Sequence, residues 1–203
     1  MIARYGERAV MIQAADSVHA LELAHRLRHH EGVADVIPAA KSVVLTFNHS
    51  PSDGEIAAIA EHVTTAPGSV GQPAPSRMVE IPVTYDGEDL AAVAAATGLS
   101  VAEVVELHSS TVYRAAFAGF APGFVYLEGL PQALQIPRRD TPRTSVPAGS
   151  LALAATYTAI YPRRSPGGWH LIGTTTQVVF DPTHARSALI EPGDRVRFLE
   201  VRR

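Results

Sequence analysis

Ser165 to Thr175 reads SPGGWHLIGTT and sets the only tryptophan of the 203-residue chain, Trp169, directly behind a proline and two glycines. Gly167 and Gly168 let a backbone pass close to its neighbours, so the expectation is a rigid indole face turned toward a ligand or partner. The competing place for Trp169 is a core behind a tight turn. Two further segments share this character: FAGFAPGFVYLEGLP, from Phe117 to Pro131, surrounds glycine turns with aromatic rings, and PRRDTPRTSVPAG, from Pro137 to Gly149, sets three arginines between prolines. Rings that cover an apolar face and guanidinium forks that match carboxylates suit a small, planar, anionic ligand. On this reading Phe124, Tyr126, Tyr157, Ser165, Gly167, Gly168 and Trp169 line the substrate. Arg143 is the anion contact, because prolines and the following VPAG stiffen its loop. Arg138 and Arg139 are expected in solvent. For Phe124 and Tyr126 the alternative to stacking on a ligand is ordinary buried packing.

His108 is the candidate general acid or base, since imidazole titrates near neutrality and this one ends a helix expected to face the glycine-rich loops. Its alternative role is to pair with the last carbonyls of that helix. Other chemistries lack their residues. The chain has no cysteine, no G-x-S-x-G and no G-x-x-x-x-G-K-[ST], and its single lysine, Lys41, follows no glycine-rich loop. Neither thiol chemistry, a serine elbow nor a P-loop is therefore encoded. His25 and His29 have a spacing that metal ligands use, but no third ligand follows at a useful interval, so no metal is expected.

These residues need a scaffold. Residues 66–76, APGSVGQPAPS, break the apolar periodicity and mark a domain boundary. Before it, a strand over 8–14, a helix capped by Ser17 and ended by Gly32, strands over 33–39 and 42–48 and a helix from Ser52 give the order β-α-β-β-α. That is most of a ferredoxin-like unit. The helix faces are expected to be Val18, Leu21, Leu23, Ala24 and Leu27, then Ile56, Ile59, Ala60 and Val63. After the boundary come a strand over 79–85, helices over 88–96 and 101–109 divided by Gly98, and strands over 111–119, 150–155, 158–161, 169–174, 177–180 and 195–201. Short strands at these intervals predict a barrel or folded sheet. The fold class is thus α+β, with a small domain over 1–70, a linker over 71–78 and a β-barrel domain over 79–203. A net charge of −3 and 46% hydrophobic residues give no basic surface for nucleic acid and no membrane span, and the N-terminus lacks a secretory profile, so a cytoplasmic location is expected.

Four blocks carry a family likeness. HSSTVY (His108–Tyr113), GFAPGFVYLEGLP, PR-x-x-x-PR-x-x-VPAGS and IYP-x-x-SPGGW-x-LIG occur in this order over 108–173, and the pattern resembles the KipI family, whose members are also called the B component of 5-oxoprolinase or allophanate hydrolase subunit 1. The resemblance implies a small α+β domain followed by a cyclophilin-like β-barrel. It also implies a non-autonomous role in the ATP-dependent opening of 5-oxoproline to glutamate, beside a KipA-type C component and a LamB/YcsF-type A component, with ATP belonging to the complex. Two other roles occur among such proteins: a KipI-like inhibitor of a sensor histidine kinase, and a carboxyltransferase-type component of a urea or allophanate pathway. The chain departs from the family pattern where glycines become Ala152, Ala155 and Ala159, where glutamine becomes Tyr157, and where the arginine of IGRTP becomes Thr174. The last change puts the substrate in question, since an arginine there would contact an anion.

Overall fold

The computed structural model describes residues 1–65 and 76–201. The chain divides into two compact units, Met1–Pro75 and Ser76–Arg203. Most of the expected boundary and linker lies outside the described residues, and Met78, placed in the linker by sequence, already begins a strand.

The first unit contains β1 (Ile2–Arg4), β2 (Ala9–Gln13), α1 (Ser17–Leu27), β3 (Val33–Pro38), β4 (Ser42–Phe47) and α2 (Asp53–Thr65). Its antiparallel sheet runs β1-β2-β4-β3. The expected β-α-β-β-α core is present, and the position beside β2 is taken by β1, a short strand that sequence patterning does not mark. Alternation buries Val10 and Ile12 of β2 and Val43, Leu45 and Phe47 of β4, while α1 presents Ala20, Leu23, Ala24 and Leu27 at helical spacing. Val18 is exposed, contrary to expectation, because it lies off that stripe. The cap of α1 is Asp16, whose carboxylate accepts from the His19 amide at 2.9 Å, and Ser17 is buried just inside. The helix stops at Leu27. Gly32, with φ +80°, instead serves the turn into β3. A reciprocal Ser52–Glu55 box opens α2: the Ser52 amide donates to the Glu55 carboxylate at 2.7 Å and the Glu55 amide donates to Ser52 Oγ at 3.2 Å.

The second unit contains β5 (Met78–Val83), α3 (Leu90–Thr97), α4 (Val101–Ser110), β6 (Val112–Ala118), β7 (Val125–Glu128), β8 (Arg143–Val146), β9 (Ser150–Ala154), β10 (Tyr157–Ile160), β11 (Ser165–Gly167), β12 (His170–Thr174) and β13 (Arg195–Glu200). Gly98 ends α3 in the left-handed conformation at φ +71°. Seven strands form one sheet in the order β12-β9-β10-β7-β6-β13-β5, antiparallel except for β13 with β5. Thr84 and Thr174 then exchange two backbone hydrogen bonds of 2.9 and 2.8 Å, which join the two edges into a nearly closed barrel. Leu127, Leu151, Leu153, Ile160, Ile172 and Phe198 fill it, and Leu90, Val93 and Val104 of the helices extend the same core. The mixed α/β architecture with a cyclophilin-like barrel is as expected. Residues 177–180 form no strand beyond a single Phe180–Ala188 bridge. Conversely β7, β8 and β11 arise from segments whose prolines and glycines read as loops; β8 and β11 pair only with each other, as a two-stranded ribbon. Among the described residues no single helix is long and apolar enough to cross a membrane.

Candidate functional site

The barrel wall is buried on both faces over β9, whose five residues SLALA are all buried. Leu151 and Leu153 point into the barrel, while Ala152 and Ala154 join a separate outer cluster with Phe124, Ala159, Tyr161, Trp169, Leu171 and Val146. Alternation sends Tyr157, Ala159 and Tyr161 of this segment outward and Ile160 inward. Small alanines on the strands leave room for the rings above them. A bulge in β6 between Ala115 and Phe117 places Phe117 opposite Tyr126 and so on the aromatic side.

The four aromatic residues assigned to the site from sequence come together here. Tyr126 stacks on Phe117 at 4.5 Å and meets Tyr157 and Trp169 edge-on at 5.4 and 5.5 Å, while Phe124 lies edge-on to Trp169 at 5.5 Å. Phe120 crowns the cluster. It sits at φ +70° in a three-residue turn closed by the Ala121 amide donating to the Gly119 carbonyl at 2.8 Å, and the residue is 61% exposed. The β8–β11 ribbon borders this aromatic cluster, to which its Val146 belongs, and Arg143 stands opposite Gly167 and Ser165 opposite Val146. A Cβ on Gly167 would lie 2.2 Å from Tyr161 Oη, so the ribbon needs glycine there; at Gly168 the same atom would make ordinary contact with Pro142.

The charges gather beside the ribbon. Asp89 is buried at the start of α3, yet its carboxylate does not cap the helix. Instead Oδ2 accepts from the Leu171 amide at 2.8 Å, while Oδ1 accepts from Arg139 Nη1 at 2.6 Å and from Arg143 Nη2 at 2.9 Å. Burial pushes the Asp89 carboxyl up, but the hydrogen bonds from Arg143 and Leu171 and the charges of both guanidiniums outweigh it and hold the group below its ordinary value. Arg143 also reaches Glu88 at 3.1 Å. Arg139, expected in solvent from sequence, is instead half of a pair that braces the loop over 137–143 against β12. Neither Asp89 nor Glu88 stands out in the sequence, where they read as an ordinary acidic helix start.

Two placements correct the sequence expectations. His108 does not face the glycine-rich loops: it is wholly buried, against Phe198 and Tyr113. Thr158 Oγ1 donates to the Ala152 carbonyl, so it accepts from His108 Nε2–H at 3.0 Å, and Nδ1 accepts from the Tyr85 hydroxyl at 2.9 Å. Burial pushes the His108 pKa down to about 3, and this neutral, fully engaged imidazole is a core strut instead of an acid or base. Trp169 is 5% exposed, so its ring is core and not rim. The helix and C-terminal strand also flank an open groove of 1120 Å³, lined by Tyr85, Val101, Val105, Glu106 and Val201 among others, which contains none of the site residues expected from sequence.

Comparisons agree with this architecture. Residues 1–190 match the family model for the carboxyltransferase domain, subdomain C and D. The B subunit of 5-oxoprolinase from Escherichia coli O157:H7 is 41% identical over 203 residues, covering 96% of this chain and 93% of the relative. The crystal structure of TTHA0988 superposes with a TM-score of 0.83 at 38% identity, covering all of this chain and 41% of that longer one. The Kluyveromyces lactis urea carboxylase gives a TM-score of 0.73 at 15% identity, over 99% of this chain and 22% of that enzyme, a likeness of fold alone. With near-complete coverage at this identity, and the aromatic and arginine blocks in place, the chain belongs to the B-subunit family of 5-oxoprolinases, built from carboxyltransferase-type C and D subdomains.

Proposed function

We propose that this chain is a non-autonomous component of an ATP-dependent 5-oxoprolinase, and that it contributes part of a shared small-anion site. The observation that carries this reading is its near-full-length kinship with the B subunit of a 5-oxoprolinase. The substrate is a flat five-membered lactam bearing one carboxylate. Opening it adds water at the lactam carbonyl, breaks the C–N bond and leaves a proton on the departing nitrogen, which yields glutamate. An arginine pair beside an aromatic cluster that leaves Phe120, Tyr126 and Tyr157 at least partly open suits the binding and orienting half of that task. ATP is assigned to the complex, with a KipA-type C component and a LamB/YcsF-type A component, because this chain offers no phosphate cradle of its own sequence type.

Reconstitution tests the reading. The purified chain alone is expected to release no glutamate from 5-oxoproline and ATP, and the full set of components is expected to release it. Turnover by the verified, partner-free chain, or none by the complete set, overturns the proposal. Suppression of a histidine kinase's autophosphorylation would instead favour the KipI-like inhibitor, and urea-dependent carboxyl transfer the third role.

A further inference from the structure

Four of the five buried side-chain donors or acceptors that lack a hydrogen-bond partner among the described residues lie on Arg139, Arg143, Ser165 and His170. Arg139, Arg143 and His170 are tied together: the first two share Asp89 Oδ1, the Arg139 amide donates to the Gly168 carbonyl at 2.8 Å, and His170 Nε2 lies 2.9 Å from the Pro137 carbonyl. Buried polar groups are almost always paired, so a concentration of unpaired ones marks a place built for something further. Two guanidiniums on one buried carboxylate leave an excess positive charge. The chain's own answer to it is Glu88, whose side chain is 73% exposed and meets Arg143 through Nη2 alone at 3.1 Å, while Arg143 Nη1, on the same fork, has no partner. A planar carboxylate that engages both arms satisfies that fork better than the one-handed Glu88 contact. Its carboxylate end is exposed and held by one contact, so water screens it and it is readily displaced.

Resting on the reading above for the identity of the ligand, we propose that Arg143, braced with Arg139 on Asp89, binds the carboxylate of the substrate, and that Glu88 is an internal stand-in which the substrate displaces. The ligand class is a small monocarboxylate on a flat ring. Glu88 sets the threshold for its entry.

The test is a calorimetric titration of the whole chain at constant ionic strength, with 5-oxoproline and acetate as probes and 5-oxoproline amide as the uncharged control. Glu88→Gln is an isosteric change at an exposed position and leaves the fold in place. It is expected to tighten binding of 5-oxoproline and acetate roughly fivefold and to leave binding of the amide unchanged. Arginine Nε–H resonances of Arg139 and Arg143 should move with the carboxylates. In the Glu88→Gln background, Arg143→Lys keeps the charge but removes the fork and should abolish the gain. Equal affinity of Glu88→Gln and the parent chain, an equal gain for the amide, or arginine resonances that do not move would each overturn the proposal. If Glu88→Gln gains affinity but the reconstituted complex releases no glutamate, the carboxylate site stands and the 5-oxoprolinase reading falls. If the complex turns over while Glu88→Gln gains nothing, the site alone falls.

Discussion

Trp169 and His108 both read from sequence as surface residues with a task, and each is a core residue whose removal acts on stability. Trp169 is walled by Phe124 and Tyr126, so Trp169→Ala should cost about 3–5 kcal/mol of unfolding free energy, measured by urea denaturation followed by circular dichroism. Ligand or partner affinity per folded molecule should be unchanged; a selective loss of binding with intact stability would return the ring to the rim. His108 predicts a pH dependence with a definite sign. Its folded-state pKa, about 3, lies below the ordinary 6.5, so the unfolded chain takes up a proton that the folded chain refuses. The contribution is complete above pH 6.5 and is lost as pH falls from there toward 3, by at most about 1.4 kcal/mol per pH unit. Urea midpoints between pH 7 and 4 should show that slope, and His108→Gln should remove it.

At the scale of the elements, two turns decide how well the outer face is made. Ala155 links β9 to β10 at φ +51°, a left-handed conformation that a Cβ disfavours, and it is one of the positions where the family pattern carries glycine. Ala155→Gly should therefore stabilise the barrel by about 0.5–1 kcal/mol, an increase readable in the thermal midpoint. Gly167 poses the opposite case. Its missing Cβ is the space into which the Tyr161 hydroxyl fits, so Gly167→Ala must part the β8–β11 ribbon from the barrel wall. Loss of stability in that variant is the expected result, with only part of it recovered when Tyr161→Phe removes the opposing oxygen, because two ring carbons would still lie 2.8 and 2.9 Å from the new Cβ. Thr174, which replaces the family's arginine, donates to Asp86 at 2.8 Å beside the barrel's closing bridge. The proposed carboxylate site draws its charge from Arg139 and Arg143 on Asp89, so it does not depend on an arginine at position 174.

As a whole molecule the chain consists of two units with separate hydrophobic cores. The barrel unit contains its own closure and the whole aromatic cluster, so residues 76–203 expressed alone should fold, with the emission of Trp169 as blue-shifted as in the complete chain. A red-shifted, exposed emission would show that the barrel needs its companion. Much of this organisation is encoded locally. Alternating Val10, Ile12, Val43 and Leu45, the helical stripe of α1 and the stop at Gly98 specify elements by periodicity and backbone preference, and the four family blocks identify the chain. The aromatic residues of the site are legible for the same reason: they cluster in sequence beside glycine turns. What sequence could not decide is which face each strand residue takes and which distant groups meet. The pairing of β8 with β11, the burial of His108 and Trp169, and the convergence of Glu88 and Asp89 with Arg139 and Arg143 across some fifty residues of chain depend on barrel closure. Closure is a global constraint: it sets register and sidedness for all strands at once, and no local pattern records it.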